Sequence, residues 1–336
     1  MNSLMTIVVP CYNEEEVLPL FMEAIGPVRQ TLAEGRNSIP CDTELVFIDD
    51  GSHDHTLNLL RSYHAADSSV RYISFSRNFG KEAGIYAGLT AAKGDYVVLL
   101  DADLQHPVEY IPVMYSILSG RETAGGASAN AQICSDYDSV AMYRPGSRKD
   151  RGLRSFFSKR FFRLMNRMSK IDLIDGATDY RMMTRPMVNA VLSMHEYNRF
   201  TKGIFNWVGF KTRWLPYEDT ARAAGESKWS FSSLLRYAFE GMFAFSTAPL
   251  TASFTLGLIL CALALVYAVI TIVKTLVWGD PVAGFPSLFT MILLLGGIQL
   301  LFLGIMGQYL SKMYLETKGR PIYIARETSE TDLDEI

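Results

Sequence analysis

Apolar residues in this chain come in runs of two lengths. The short ones, Leu4–Pro10, Glu44–Ile48, Val70–Phe75 and Tyr96–Leu100, lie in the first third and read as buried strands. Helix-patterned stretches separate them: Glu14–Leu32, His53–His64 and Lys81–Ala92. This alternation predicts βαβ units, hence a mostly parallel sheet covered by helices. Pro107 opens a further helix, as proline does in a first turn.

The long runs come last. No charged residue occurs from Gly241 to Val273, nor from Pro281 to Ser311. Each exceeds the roughly 20 apolar residues that span a bilayer, which predicts spans near Leu250–Val273 and Ser287–Leu310. The short connector from Trp278 to Pro286 is rich in turn formers and makes the pair a hairpin. Arg222, Lys228 and Arg236 precede it, Lys312, Lys318 and Arg320 follow it, and the connector side has only Lys274. By the positive-inside rule both flanks, and the large N-terminal part, lie in the cytoplasm against the inner or plasma membrane. Met5–Pro10 is too short for the apolar core of a signal peptide.

Between these regions the pattern changes. Gly120–Tyr143 is small and polar and reads as a mobile surface loop, a flap or a tolerated insertion. Arg151–Lys170 holds seven basic residues and no acidic one. Leu153, Phe156, Phe157, Phe161, Leu164, Met165 and Met168 share one half of its helical wheel, with Lys159, Arg163, Arg167 and Lys170 opposite. That segregation predicts a helix lying in an anionic membrane interface. Phe231–Phe245 is a second such candidate, leading into the first span. The acidic tail from Glu327 to Ile336 reads as disordered. A net charge of −3 predicts no nucleic-acid partner. Cys11, Cys41, Cys134 and Cys261 are scattered and read as reduced thiols.

The chemistry gathers at the predicted strand ends. Asp101 and Asp103 follow the Tyr96–Leu100 run. Residues two apart on a strand point the same way, so both carboxylates are expected at the carboxyl edge, where open α/β sheets bind ligands. Two such carboxylates repel unless a cation sits between them. A hard divalent ion that also holds a diphosphate fits this need. In isolation the motif reads equally well as an acidic turn; its neighbours decide. Asp50, at another strand end, can accept from a base N–H or a ribose hydroxyl, with Gly51 allowing the turn and Ser52 or Asp54 capping the next helix. Gly80 opens a helix whose N–H groups, with Arg77 and Lys81, suit a phosphate. His53, His55 and His106 read as solvated loop residues.

Together these segments resemble glycosyltransferase family 2. Within it they resemble the membrane-anchored polyprenyl-phosphate glycosyltransferases, the group of the dolichol-phosphate mannose synthases and bacterial bactoprenol glucosyltransferases. The matching residues are Val9-Pro10-Cys11-Tyr12-Asn13-Glu14-Glu15, Asp49-Asp50-Gly51-Ser52, Arg77-Asn78-Phe79-Gly80 and Asp101-Ala102-Asp103-Leu104-Gln105-His106-Pro107. Later matches are Arg148-Lys149-Asp150-Arg151, Asp179-Tyr180-Arg181-Met182-Met183, Asn198-Arg199-Phe200 and Gly225-Glu226-Ser227-Lys228-Trp229. The likeness runs from Leu4 to Ala325; Gly125–Ser139 looks inserted.

With the hydropathy, the resemblance implies an α/β GT-A (Rossmann-like) catalytic domain over 1–229, including the basic interfacial helix. A juxtamembrane helix at 230–246, two transmembrane helices within 247–312 and a cytoplasmic tail at 313–336 follow. It implies that Pro10, Tyr12, Glu14 and Asp50 line the nucleoside pocket with help from Asp101. Asp103 and Gln105 would ligate Mg²⁺ or Mn²⁺, and Asp101 is a further candidate ligand. Arg148 would meet the acceptor phosphate or the donor diphosphate, Asp179 would be a base-like carboxylate near the sugar, and Lys228 would lie near the membrane. The implied reaction is inverting transfer of a hexose, glucose by preference, from UDP-hexose to undecaprenyl or another polyprenyl phosphate. It would supply lipid-linked sugar to cell-envelope glycans. The partners are then the UDP-sugar, the polyprenyl phosphate and the bilayer; Gly296, Gly297, Gly304 and Gly307 would also permit a homo-oligomer.

Two rivals remain. A processive polysaccharide synthase carries a Gln-x-x-Arg-Trp motif, but Phe210 stands where Arg213-Trp214 would require the glutamine. A membrane-anchored nucleotide-sugar sensor could keep the base pocket but has no use for the metal-type carboxylates.

Overall fold

The computed structural model describes residues 2–35, 39–120, 136–145, 176–217, 248–278 and 284–330. They fall into two compact units. One lies within Met1–Asn166, Ile171–Trp229 and Pro321–Ile336, the other within Arg167–Lys170 and Ser230–Arg320.

The first unit alternates β1 (Ser3–Cys11), α1 (Leu18–Ala33), β2 (Cys41–Asp49), α2 (Thr56–Ala66), β3 (Val70–Phe75), α3 (Lys81–Ala91) and β4 (Tyr96–Leu99), as the hydrophobic pattern predicts. It continues with α4 (Tyr110–Leu118), β5 (Ser139–Tyr143), β6 (Ala177–Thr184), α5 (Arg185–Leu192), α6 (Thr201–Trp207) and β7 (Thr212–Pro216), and ends in β8 (Ala325–Thr328). One sheet holds the eight described strands in the order β7-β5-β6-β4-β1-β2-β3-β8. Its centre, β3-β2-β1-β4, is parallel. The sheet is mixed overall: β6 runs antiparallel to β4 and β5, and β8 antiparallel to β3.

Both faces are buried, which explains the nearly unbroken apolar strands. On one face Ile7, Val9, Leu45 and Phe47 meet Phe21 and Ile25 of α1 and Met114 and Tyr115 of α4. On the other, Val46, Ile48 and Ile73 meet Ala83 and Ala87 of α3. Helix α3 lies unusually close to the sheet. A Cβ built on Gly88 would sit 2.1 Å from Val8 Cγ1, so only glycine fits there.

Two expectations are corrected in this unit. Residues 139–143, predicted as the end of a loop, form β5 between β6 and β7; Gly125 and the rest of 121–135 lie outside the described residues. The tail, predicted as disordered from Glu327, begins in β8, which pairs with β3 through Ile73↔Thr328 and Ser74↔Glu327; 331–336 lie outside the described residues. Glu327 and Glu330 are matched by bases from the sheet side. Arg61 Nη2 lies 2.5 Å from Glu327, and Arg71 and Lys93 lie 2.8 and 2.6 Å from Glu330. Tyr323 stacks on Phe75 at 4.8 Å.

The second unit holds α7 (Ala248–Trp278) and α8 (Phe285–Thr317), and each contains one predicted span. Gly257 of α7 approaches Phe302 of α8 closely enough that a Cβ would lie 3.9 Å from its ring. Among the described residues only Leu294–Thr317 is long and apolar enough to cross a membrane by composition; in α7 the apolar part that stands out is the shorter Leu250–Leu260. Leu276 of α7 and Leu300 of α8 are 81% and 71% exposed, surface that water does not favour. The basic helix at 151–170 and the juxtamembrane helix at 230–246 lie outside the described residues.

Candidate active site

Four loops and one antiparallel strand meet at the carboxyl edge of the parallel core. The loops after β1 and β2 are stitched together. Asn13 N–H donates to Ser52 Oγ at 2.9 Å, and Asn13 Oδ1 accepts from His53 N–H at 2.9 Å. Glu14 N–H donates to Thr56 Oγ1, and Glu15 exchanges hydrogen bonds with Asp54 and His55. Asn13 takes a left-handed φ of 54°, a conformation asparagine tolerates better than most residues. Gly51 has φ +68°, and a Cβ there would sit 2.5 Å from the Arg77 carbonyl carbon, so glycine lets the third loop close on the second.

Asp50 is buried and faces that third loop. Its carboxylate accepts from Phe79 N–H at 2.6 Å and from Gly80 N–H at 2.9 Å. Burial pushes its carboxyl up, and these two N–H donors partly offset the rise. These bonds fix the start of α3. Arg77 lies over the Phe79 ring at 4.1 Å. Pro10, Tyr12 and Glu14 line the same edge, each partly exposed.

The centre of the site is an ammonium between two carboxylates. Lys81, first residue of α3, places Nζ 2.7 Å from Asp101 and 2.8 Å from Asp179. Register explains the meeting. Leu99 pairs with Arg181 across β4 and β6, so two residues further on Asp101 comes level with Asp179. Lys202 of α6 stands 3.9 Å from Asp179. Burial pulls the Lys81 ammonium down, but Asp101 and Asp179 outweigh it and hold the lysine above its usual range. Burial likewise pushes both carboxyls up. Lys81 and His106 reverse this for Asp101, and Lys81 and Lys202 for Asp179, leaving both below the usual carboxylate range.

The strand argument for Asp103 is corrected. β4 ends at Leu99, and residues 101–104 turn instead of extending, with Leu104 at φ 56°. Asp103 Oδ1 accepts from Gln105 N–H at 3.2 Å and so closes the turn, while Asp101 faces Lys81. His106, predicted as solvated, is 3% exposed. Its Nε2 lies 3.6 Å from Asp101 and its Nδ1 2.9 Å from Tyr217 Oη. Arg148 and Lys228 lie outside the described residues.

Sequence reasoning missed several neighbours. Lys202 is delivered by α6, whose first residue, Thr201, donates N–H to Glu82 of α3 at 2.9 Å. Arg199 is a buried structural residue, over the Tyr86 ring at 4.6 Å and donating to the carbonyls of Met194 and Val191. Arg181 is fully buried over Phe205 at 3.8 Å, and burial lowers it to about 10.

Among the described residues no group of three or more His, Cys, Asp and Glu side chains is arranged as a metal cage. The donor set of Asp101, Asp103 and Gln105 is nonetheless all oxygen, which suits Mg²⁺ or Mn²⁺. The Lys81 ammonium already bridges Asp101 to Asp179, so the edge is built to hold positive charge between carboxylates.

Residues 6–192 match glycosyl transferase family 2. The putative glycosyltransferase CsbB of Bacillus subtilis is 38% identical over 333 residues, covering 99% of this chain and 94% of that protein. The bactoprenol glucosyl transferase of Shigella phage SfII is 36% identical over 323 residues, covering 96% and 97%. The prophage bactoprenol glucosyl transferase homolog of Escherichia coli is 36% identical over 325 residues, covering 97% and 99%. With a family model matching more than half of it and relatives matching nearly its full length, the chain belongs to glycosyl transferase family 2 and is a glycosyltransferase.

Proposed function

We propose that this enzyme transfers a hexose, glucose by preference, from UDP-hexose to undecaprenyl or another polyprenyl phosphate, with inversion. The observation that carries the reading is the Asp101–Lys81–Asp179 constellation at the carboxyl edge, in a chain matched end to end by bactoprenol glucosyl transferases. The acceptor phosphate oxygen attacks the anomeric carbon from the face opposite UDP. The new C–O bond forms as the bond from carbon to the diphosphate oxygen breaks.

A phosphomonoester has its second pKa near ~6, so at neutral pH it needs little deprotonation. Asp179 is ionised and flanked by Lys81 and Lys202. Its task is to orient a sugar hydroxyl or the attacking group, with proton removal as the alternative. Mg²⁺ or Mn²⁺, held by Asp103 and Gln105 with Asp101, would neutralise the leaving diphosphate. Donor and acceptor are both anionic and repel, which gives Lys81 and Lys202 their electrostatic role and extends it, by family resemblance, to Arg148 and Lys228.

The topology supports a membrane protein with both flanks on one side. Strand β8 follows α8 and pairs with β3, so residues 325–328 and the sheet share one side of any bilayer. The chain between β7 and β8 must then cross an even number of times. Helix α7, with 31 residues and a length of about 46 Å at ~1.5 Å per residue, is long enough to be the second span beside α8. The basic flanks favour the cytoplasmic side.

A panel of UDP-sugars offered with a short polyprenyl phosphate, with the lipid product weighed by mass spectrometry, tests the reading. A product one hexose heavier, formed only with the acceptor, is expected from UDP-glucose. UDP release indifferent to the lipid would refute it.

A further inference from the structure

Four polar groups from three separate segments close a ring, through the Gln105–His106 peptide link, beside Asp101. Arg144 follows β5, Tyr217 follows β7, and Asp101, Gln105 and His106 belong to the turn after β4. Arg144 Nε donates to Tyr217 Oη at 2.8 Å. Tyr217 Oη lies 2.9 Å from His106 Nδ1, and His106 Nε2 lies 3.6 Å from Asp101 Oδ2. Arg144 Nη2 closes the circuit on Gln105 Oε1 at 3.4 Å.

The chemistry gives the ring a direction. A guanidinium only donates, so Arg144 faces the carbonyl oxygen of Gln105 and not its amide nitrogen. Asp101 is ionised and only accepts, so His106 turns its Nε2 edge toward it while Nδ1 faces the Tyr217 hydroxyl. Arg144 thus starts two branches, one through Tyr217 and His106 to within 3.6 Å of Asp101 and one to Gln105. Packing locks the parts. His106 is 3% exposed and Tyr217 2%, and the His106 ring lies against Tyr180 at 5.2 Å. Backbone bonds hold the two anchors: Arg144 N–H donates to Gly176 O at 2.9 Å and Tyr217 N–H to Tyr143 O at 3.1 Å.

We infer that Arg144, Tyr217 and His106 are positioning residues that set Asp101 and Gln105 for the cation-bearing nucleotide. The inference rests on the reading of Asp101 and Gln105 given above. Orienting groups of this kind are worth about 10–100-fold in metal affinity or activity when removed. The ring also joins the β4 turn to the last described residues before 146–175 and 218–247, the stretches that carry Arg148 and Lys228.

The test uses the full chain in detergent. Tyr217→Phe keeps the ring and deletes the link; Arg144→Lys keeps the charge and loses the fork. Free Mn²⁺ is read by electron paramagnetic resonance in the presence of UDP, alongside kcat/KM for UDP-glucose and the melting temperature. Tyr217→Phe and Arg144→Lys are each expected to weaken Mn²⁺ binding and lower kcat/KM by about tenfold. Melting should fall by only about 2–4 °C, the scale of losing one buried hydrogen bond of about 1 kcal/mol in a domain of this size. His106→Ala combined with Tyr217→Phe should cost less than the product of the two single losses, because both lie on the branch to Asp101. Mn²⁺ affinity within twofold of wild type in both single variants, or multiplicative losses in the double variant, would overturn the inference while wild-type transfer stood. Wild-type protein that binds no Mn²⁺ with UDP would overturn the metal reading and the inference with it.

Discussion

Replacing Lys81 with methionine should unlock the carboxylate pair it holds. The aliphatic stem remains and only the ammonium is lost, leaving Asp101 and Asp179 facing each other across a site where they are 27% and 15% exposed. Exposed ion pairs contribute about 0.2–1 kcal/mol, and stripping one partner from a buried pair costs about 3–5 kcal/mol. Lys81 is 42% exposed and Lys202 remains at 3.9 Å from Asp179, so the loss should fall between these limits, at about 2 kcal/mol. That corresponds to about 4–8 °C in melting temperature for a domain of this size. The pH dependence has a definite sign. In the wild type both carboxyls are held below their ordinary 3.8, so their stabilisation is complete above that value and is lost only in stronger acid. The Lys81 ammonium is held above its ordinary 10.5, so its share is complete below that value and is lost as alkali deprotonates it. Without Lys81 the carboxyls rise, and protonation relieves their repulsion. The difference between variant and wild type should be widest near neutrality and narrow as pH falls toward ~4. Mn²⁺ should raise the melting temperature of Lys81→Met more than that of wild type, since it can take over the bridge. Thermal melts in detergent at pH 7.5 and 4.5, with and without Mn²⁺, give the answer. Coincident melts at pH 7.5, with no larger Mn²⁺ shift in the variant, would refute the reasoning.

Three further outcomes are expected. Asp103→Asn should cut transfer at least about a hundredfold with folding intact, and EDTA should abolish wild-type turnover until Mg²⁺ or Mn²⁺ is returned; full activity in chelator excludes a metal role. Asp179→Asn should lower kcat/KM in parallel from pH 5.5 to 8 if the carboxylate orients, whereas a loss confined to low pH, where the acceptor is a monoanion, identifies a base. Glu327→Gln should lower stability by about 1 kcal/mol or less, because Arg61 is half exposed. Hydrogen bonds from Arg61 and Tyr72 hold Glu327 at about 2 against an ordinary 4.5, so the deficit should be complete above 4.5 and vanish as pH approaches 2; a deficit that persists in acid points to backbone damage in β8.

The parallel core was legible because β1 to β4 are buried on both faces and broken by clear helical periods. The antiparallel half was not. In β6, Asp179 and Arg181 lie on a buried face, so polar letters sit where a strand pattern demands apolar ones; Arg181 is accommodated there by Phe205 and Trp214 rings. Glu327 and Glu330 read as a disordered tail because their neutralising partners Arg61 and Lys93 are 266 and 237 residues away. The site was legible as a set of strand-end residues, but their pairing was not. Lys81 reads as a phosphate ligand until the register of β4 and β6 brings Asp179 beside Asp101. His106 reads as a loop histidine until Tyr180 and Tyr217 close over it.

The pairing of β8 with β3 also sets a schedule for biosynthesis. Strand β3 ends at Phe75, and its partner begins at Ala325. At ~5–20 residues per second the ribosome needs on the order of 10–50 s to make the chain between them. For that whole interval the β3 edge is an open template, and the long apolar helices emerge before it is closed. Completion of the sheet therefore reports that the helices have been made and the chain has returned, and release of a chain broken off within α8 leaves an adhesive edge in the cell.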